Sequence, residues 1–143
     1  MSWERVLSGP GIHNIYRFLK DTGGGDEPSW LKEEIAKGDP SVSISKAALA
    51  GKSELCVRAM DLFVELYGAE AGNLALKVMA VGGVCVGGGI APKIIEKMKS
   101  SGFMAAFTAK GRMRQLLQDM PVRVILNDRT ALLGAARCAS LGL

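Results

Sequence analysis

The chain has 143 residues, of which 48% are hydrophobic and 22% charged, and its formal net charge is +4 at pH 7. This length suits one domain with its own core, and the scattered Lys and Arg argue against a nucleic-acid surface while suiting an anionic small molecule. No apolar run approaches the roughly 20 residues of a membrane span and the first residues lack a signal-peptide core, so we predict a cytoplasmic protein with no nucleic-acid or membrane partner.

The cysteines and the single histidine do not form a metal motif. Cys56, Cys85 and Cys138 stand far apart among apolar residues, and His13 has no Cys, Ser or Asp at a spacing that suits a triad. Without a C-x-x-C pair or a Cys/His cluster, neither a zinc site nor a disulfide framework is expected. We predict buried free thiols, no metal site, and a surface or half-buried His13.

The first half of the chain is predicted to be mainly helical. Ser8 suits an N-cap, and Pro10 suits the first turn, where its missing N–H is not needed. The stretch "DTGGGD" could be mistaken for a phosphate loop, but it follows a helix and is predicted as a helix stop. We predict a first helix from Ser8 to the glycines 23–25. A peripheral insert follows over 21–43, with a helix from Ser29 to about Lys37 and a turn at 38–40. A short helix within 43–52 and a long helix over about 53–79 complete the first half.

Two glycines interrupt the long helix. Gly68 and Gly72 lie four residues apart, and each costs ~1 kcal/mol relative to Ala in a helix interior. We expect this cost to be offset by the close approach of another backbone. Met60, Phe63 and Tyr67 share one face of the same helix and are predicted to belong to the core.

Two strands are predicted in the second half. The apolar run "GVCVGG" (83–88) is typical of a strand buried on both faces, and "PVRVILN" (121–127) is a second strand that begins at Pro121. Helices are predicted over 92–99, over 102–120 with a break at Gly111, and over 129–141 with Asn127 or Asp128 as the cap. The fold class is therefore α/β, helix-rich with few strands, and two strands alone make a poor sheet.

The stretch "VGGVCVGGGIAPK" (81–93) is the first candidate site. Gly87, Gly88 and Gly89 follow a strand and precede a helix, but they match neither a P-loop nor a dinucleotide-binding fingerprint. Glycines there allow positive φ, and they leave no Cβ between the backbone and a flat ligand. The pattern alone leaves a ligand site and a simple strand-to-helix turn equally open.

The N-terminal stretch is the second candidate site. Glu4 is either a solvated surface carboxylate or an acceptor for the hydroxyls of a polar ligand. Ser8 and Gly9 either form an ordinary helix start or present free N–H groups to an anion.

Taken together, these stretches resemble the bacterial-type glucokinase family, ATP-dependent hexose kinases of the actin-like ATPase superfamily, and most of all its cyanobacterial and algal branch. The matching pieces occur in the family's order and cover nearly the whole chain: "ERVLSGPGI", "YGAEAGNLALK", "GGVCVGGGIAPKI", "SGFMAAFTAKGRM", "PVRVILN" and "LLGAA". The resemblance implies that residues 1–143 are a single partial domain, the C-terminal portion of an actin-like ATPase (ribonuclease H-like) domain.

The resemblance also implies roles for individual residues. Glu4 matches the family glutamate that binds glucose hydroxyls, and Gly87, Gly88 and Gly89 match the adenosine motif. Ser8 and Gly9 match the strip that borders the nucleotide cleft.

Three family motifs have no counterpart in this chain: the Asp-x-Gly-Gly-Thr phosphate loop, the Asn-Asp pair that holds the general base, and the Glu-Gly-Gly-His stretch. The resemblance thus implies the C-terminal part of a glucokinase that transfers a phosphoryl group from ATP, with Mg²⁺, to the 6-hydroxyl of glucose. We expect no catalytic residue and no Mg²⁺ site in this chain, and no activity from it alone. The alternative is a non-catalytic module that binds a nucleotide or a partner chain.

An uncovered sheet edge or helix face further predicts a homo-oligomer.

Overall fold

The computed structural model, which describes residues 2–23 and 25–142, consists mainly of helices with one short pair of strands. Gly24, part of the predicted helix stop, lies outside the described residues. The α-helices are α1 (Gly9–Asp21), α2 (Ser29–Lys37), α3 (Pro40–Leu49), α4 (Glu54–Lys77), α5 (Ile95–Ser100), α6 (Phe103–Thr108), α7 (Arg114–Gln118) and α8 (Thr130–Ser140). The strands are β1 (Val84–Val86) and β2 (Val122–Val124), and 3₁₀ turns lie at Trp3–Arg5, Ala91–Ile94 and Gly111–Met113.

Side-chain caps fix where α1, α3 and α4 begin, whereas α2 follows Pro28 without one. The Ser8 hydroxyl accepts from the Gly11 N–H at 3.0 Å, and the Ser53 hydroxyl caps α4. The predicted turn at residues 38–40 is present at Gly38 and Asp39, between α2 and α3, and it leads directly into α3 because Asp39 accepts from the Ser41 N–H at 2.8 Å. Asp-Pro suits a turn and a helix start equally, so the helix expected within 43–52 begins earlier than predicted.

The long helix α4 is the centre of the core, and α1, α3 and α6 pack against it. Met60 and Phe63 are fully buried, as their spacing predicted. Tyr67 is half-buried and meets the rings of Phe63 and Phe103 edge-on, each with centroids 5.8 Å apart. The core prediction for this face is confirmed.

Gly68 and Gly72 allow α6 to lie directly on α4. A Cβ at Gly68 would collide with the carbonyl oxygen of Phe103, and one at Gly72 would collide with that of Phe107. The predicted close approach of a second backbone is therefore confirmed.

A polar cluster joins the end of α1 to the chain that follows it. The Tyr16 hydroxyl donates to Glu27 Oε1 at 2.9 Å, and Lys20 Nζ lies 2.7 Å from Glu27 Oε2. Burial and the adjacent carboxylate raise the pKa of Tyr16. Burial alone would raise the pKa of Glu27, but the hydrogen bonds from Lys20 and Tyr16 outweigh it and the pKa is lowered. Leu31, within segment 21–43, is fully buried in the core.

The two strands pair in parallel, with Val84 opposite Val122 and Val86 opposite Val124. The strand 83–88 was expected to be buried on both faces, and this is wrong: within β1 only Val86 is buried, and Cys85 is exposed. The physical reason is that the faces of a strand are buried by what packs over the sheet, and within the described chain β1 packs closely against β2 alone.

The expected burial of the thiols is correct for Cys56 alone. Cys85 and Cys138 are exposed. Cys138 lies on α8, which buries none of its residues. An apolar sequence neighbourhood therefore did not predict the environment of these two thiols, because no part of the described chain covers them.

Helix α8 starts without a side-chain cap. Asn127 Oδ1 accepts from the Arg129 N–H at 2.9 Å. Arg129 is the residue before the helix and occupies the N-cap position itself. The predicted cap by Asn127 or Asp128 is thus wrong, although the Asn127 carbonyl oxygen does accept from Thr130. The predicted break at Gly111 is confirmed, since its φ is +52°.

Candidate functional site

A cavity lies where the two strands end. Because β1 and β2 are parallel, their carboxyl ends open at the same edge, which is where ligands bind in open α/β sheets. The glycine turn follows β1, and a polar loop leading to α8 follows β2. Together they enclose about 400 Å³, lined by Gly87, Gly88, Gly89, Ile125, Asn127, Asp128, Thr130 and Ala131.

The glycine turn presents bare backbone to this cavity. Position 88 requires glycine, because its φ of +101° is a backbone conformation that residues with a side chain rarely adopt. At Gly89 a Cβ would meet no atom within 4 Å, and at Gly87 it would meet only Ile125 Cδ1 at 3.5 Å. Protein packing within the described residues therefore does not explain why Gly87 and Gly89 are glycines.

Backbone donors also remain available in this turn. The N–H groups of Gly88, Gly89 and Ile90 donate to no acceptor within residues 2–23 and 25–142. A polar group of a ligand could satisfy them.

A second, smaller depression brings the start of α1 to the glycine turn. Gly9 and Gly89, distant in sequence, both border a cavity of about 90 Å³. Its other lining residues are Ile12, Ser41, Val42, Ser45, Ile90, Lys93 and Ile94. The structure thus places two of the predicted nucleotide-binding residues at one cavity.

Ser8 and Glu4 lie away from the strand-end cavity. The Ser8 hydroxyl is occupied, because it accepts from Gly11 and donates to the Glu4 carbonyl oxygen at 2.6 Å. That bond holds the Trp3–Arg5 turn at the start of α1. The Glu4 side chain is exposed, and its carboxylate has no hydrogen bond or ion pair in the described part of the chain. His13 is half-buried, as expected, and burial followed by the Arg17 charge lowers its pKa.

Several lining residues were not predicted from sequence. Asn127 and Asp128 were considered mainly as helix caps, and Ile125 and Thr130 were not singled out. Their role as a cavity wall depends on β1 and β2 being parallel, which no local pattern states. Ser41 was missed because the start of α3 was read as a turn.

The described residues contain no group of three or more His, Cys, Asp or Glu side chains that could hold a metal ion. No helix in the described part of the chain has the length and apolar character needed to cross a membrane.

The parallel strand ends, the bare glycine turn and the adjoining helix starts define an α/β protein with a ligand cavity at the carboxyl edge of its sheet. A family model described as Glucokinase matches residues 1–141. The chain belongs to the glucokinase family.

Similar proteins agree with this assignment. The chain is 46% identical to a glucokinase of Nostoc punctiforme over 98% of its own length and 44% of the relative. It is 45% identical to a glucokinase of Synechocystis, again over 98% of the chain, and 43% identical to one of Yersinia enterocolitica over 94%. The chain thus spans less than half the length of the curated relatives it matches.

A solved structure supports the fold. The crystal structure of glucokinase from an Antarctic psychrotroph superposes with a TM-score of 0.81 at 34% identity, covering 96% of this chain and 40% of that one. The resemblance inferred from the sequence is confirmed, and so is the fold class, a helix-rich part of an actin-like ATPase domain with few strands.

Proposed function

We propose that this chain is the C-terminal part of a cytoplasmic, ATP-dependent glucokinase and that it forms the adenosine side of the nucleotide site. The strand-end cavity carries this proposal. Its wall of Gly87, Gly88 and Gly89 lets a flat base approach the backbone directly, and the unpaired N–H groups of the turn offer hydrogen bonds. Gly9 borders the smaller neighbouring cavity that Gly89 also lines, and Ser8, the N-cap of α1, directly precedes it in the chain.

Glu4 is the proposed glucose ligand. An ionised carboxylate accepts from two neighbouring hydroxyls and so favours one arrangement of hydroxyls on a sugar ring. The Glu4 side chain is exposed and uncommitted, while the Ser8 hydroxyl fixes its backbone at 2.6 Å. This combination suits a residue that is positioned by the fold and receives its partner from solution.

Phosphoryl transfer needs more than these residues supply. It requires a placed base, a cradle for the phosphates and a cation that neutralises the developing charge. We propose that Mg²⁺ enters with ATP and that the base and the phosphate loop belong to the remaining part of the enzyme. The loss of a base alone costs roughly 10²–10⁴-fold in rate. The isolated chain should therefore form no glucose 6-phosphate in a coupled assay, and clear turnover would refute the fragment assignment.

Nucleotide binding is tested by adding a side chain to the glycine turn. Gly89→Leu should lower the affinity for a fluorescent ATP analogue at least tenfold, because the new side chain occupies space at the cavity wall and its Cβ meets no protein atom within 4 Å. Gly82→Leu is the matched control, since Gly82 also has open space around it but lies at the other end of β1. Equal affinity of the two variants would argue against the site.

Self-association of the isolated chain remains a prediction. Exposed apolar side chains on α8 and at the end of α4 favour it: Leu132 is 70% exposed and Val78 71%. Light scattering over a range of concentrations measures it, and a monomer at the highest concentration would contradict it.

A further inference from the structure

The loop between β2 and α8 holds Asp128 in place without using its side chain. Asn127 accepts from the Arg129 N–H through its Oδ1 at 2.9 Å. Its carbonyl oxygen accepts from the N–H and the hydroxyl of Thr130 at 3.2 and 2.8 Å. Asp128 is exposed, and its carboxylate has no hydrogen bond or ion pair in the described part of the chain. The loop therefore fixes the backbone around Asp128 and leaves the carboxylate available to a ligand.

Asp128 also sets the charge of the strand-end cavity. Among the described residues that line this cavity, it is the one that carries a charge. Ile125 holds the same wall against β1, because its N–H donates to the Val86 carbonyl oxygen at 2.9 Å. A carboxylate repels phosphate groups and accepts hydrogen bonds from hydroxyl groups. The wall opposite the glycine turn therefore suits an uncharged part of a ligand that carries hydroxyls.

A metal ion fits this wall less well than a hydroxyl group does. Magnesium and calcium are held by several oxygen ligands. Within residues 2–23 and 25–142, Asp128 belongs to no group of three or more His, Cys, Asp or Glu side chains that could hold a metal ion. A single carboxylate at a cavity wall is, by contrast, sufficient to accept from a pair of hydroxyls.

Two ligands of the proposed reaction carry neighbouring hydroxyls, the ribose of the nucleotide and glucose. Glu4, the proposed glucose ligand, does not line the strand-end cavity. The facing wall is the turn of Gly87, Gly88 and Gly89, which is proposed to contact the base. The ribose is joined directly to that base, so the position of Asp128 favours the ribose.

We propose that Asp128 accepts hydrogen bonds from the 2′- and 3′-hydroxyls of the ribose and so selects ribonucleotides over dideoxynucleotides. Each carboxylate oxygen can accept from one hydroxyl of the pair, and an acidic side chain binds a ribose hydroxyl in dinucleotide-binding folds. This inference rests on the proposed function, in which the base lies against the glycine turn. It assigns the opposite wall of the cavity to the sugar of the same nucleotide.

The test measures the affinity of the chain for ATP and for 2′,3′-dideoxy-ATP by isothermal titration calorimetry. The parent chain should bind ATP about tenfold more tightly, because hydrogen bonds to a charged acceptor are stronger than those to a neutral one. Asp128→Ala should reduce this preference to about twofold or less by weakening the binding of ATP alone. A general loss of structure would weaken the binding of both nucleotides, so the ratio of the two affinities isolates the contact.

Asp119→Ala is the matched control. Asp119 is exposed, lies before the opposite end of β2, and has no side-chain hydrogen bond or ion pair in the described chain. This variant should keep the preference of the parent chain. An equal loss of preference with Asp119→Ala and Asp128→Ala would overturn the role of Asp128.

The same titrations separate failure of this inference from failure of the proposed function. Equal affinity of the parent chain for ATP and dideoxy-ATP would overturn the ribose contact and leave the nucleotide site intact. No binding of either nucleotide would overturn both. Weaker glucose binding by Asp128→Ala, with its affinity for ATP unchanged, would overturn the inference in favour of a contact with the sugar substrate.

Discussion

At Gly68 a single hydrogen atom in place of a methyl group allows two helices to touch. The sequence predicted this contact, because a glycine in a helix interior lowers stability unless something else compensates. It could not identify the partner, since nothing local relates Gly68 to Phe103. The Tyr16–Glu27 hydrogen bond was unpredictable for the same reason: a tyrosine on a helix and a glutamate in a loop carry no pairing signal.

Gly68→Ala should destabilise the protein by about 1–3 kcal/mol, because the new methyl group forces α6 away from α4. Urea unfolding followed by circular dichroism measures the change. Gly134→Ala on the exposed α8 is the control, since its methyl group meets no atom within 4 Å. An unfolding midpoint for Gly68→Ala equal to that of the parent chain would contradict the close-packing explanation.

The bounds of the elements were predicted well wherever a cap and an apolar periodicity agreed. Both signals locate α1, the apolar periodicity alone locates α4, and α2 matches its predicted range. The start of α3 was misread because Asp39-Pro40 is compatible with two structures. The exposure of β1 could not be predicted, because an apolar run shows that a strand is suited to burial and does not show what covers it.

The cap of α1 has two separable functions. Ser8→Ala should cost about 1 kcal/mol of stability through loss of the hydrogen bond to Gly11. Ser8→Asp keeps an acceptor but cannot donate to the Glu4 carbonyl oxygen, so it should retain stability and release the Trp3–Arg5 turn. Denaturation gives the first result and amide exchange of residues 4–7 gives the second. Equal destabilisation by both variants would show that the cap is not the cause.

The contact between α1 and the segment before α2 should depend on pH. Glu27 has a lowered pKa in the folded chain, so its stabilisation is complete above the ordinary value of 4.5 and is lost as the pH falls through the folded pKa. Glu27→Gln should cost about 1–2 kcal/mol at pH 7 and progressively less below pH 4.5. Urea unfolding at several pH values measures both.

Glu33→Gln is the comparison for that experiment, because Glu33 pairs with Lys37 on the exposed face of α2. Surface pairs of this kind contribute little, so its effect should stay below about 0.5 kcal/mol. A pH-independent difference between Glu27→Gln and the parent chain would rule out the carboxylate as the source.

For the whole molecule, the candidate site exists only because two distant turns meet. The glycine turn was identified from sequence as a candidate, and the resemblance to glucokinases favoured a nucleotide there. The opposite wall, residues 125–131, depends on parallel strand pairing, and the smaller cavity shared by Gly9 and Gly89 depends on how α1 is placed. Both are consequences of tertiary structure that no local spacing encodes.

Thiol titration checks the overall packing directly. Cys85 and Cys138 should react promptly with a disulfide reagent, whereas Cys56 should react only in denaturant. Burial protects Cys56 from the reagent, and it also raises the pKa of the thiol and so lowers its thiolate fraction. Cys85→Ser should remove one prompt thiol. Three prompt thiols in the native parent chain would mean that the core around α4 is open.

Helix α8 gives the cavity an unusual cost of binding. It has 11 residues and buries none of them, and a helix of that length is marginal in water on its own. Thr130 and Ala131, at its first turn, are also part of the cavity wall. A ligand that contacts this wall therefore uses part of its binding free energy to order the helix. Its measured affinity is the intrinsic affinity multiplied by the fraction of molecules in which α8 is already helical. Whatever covers α8 would raise ligand affinity without touching the ligand.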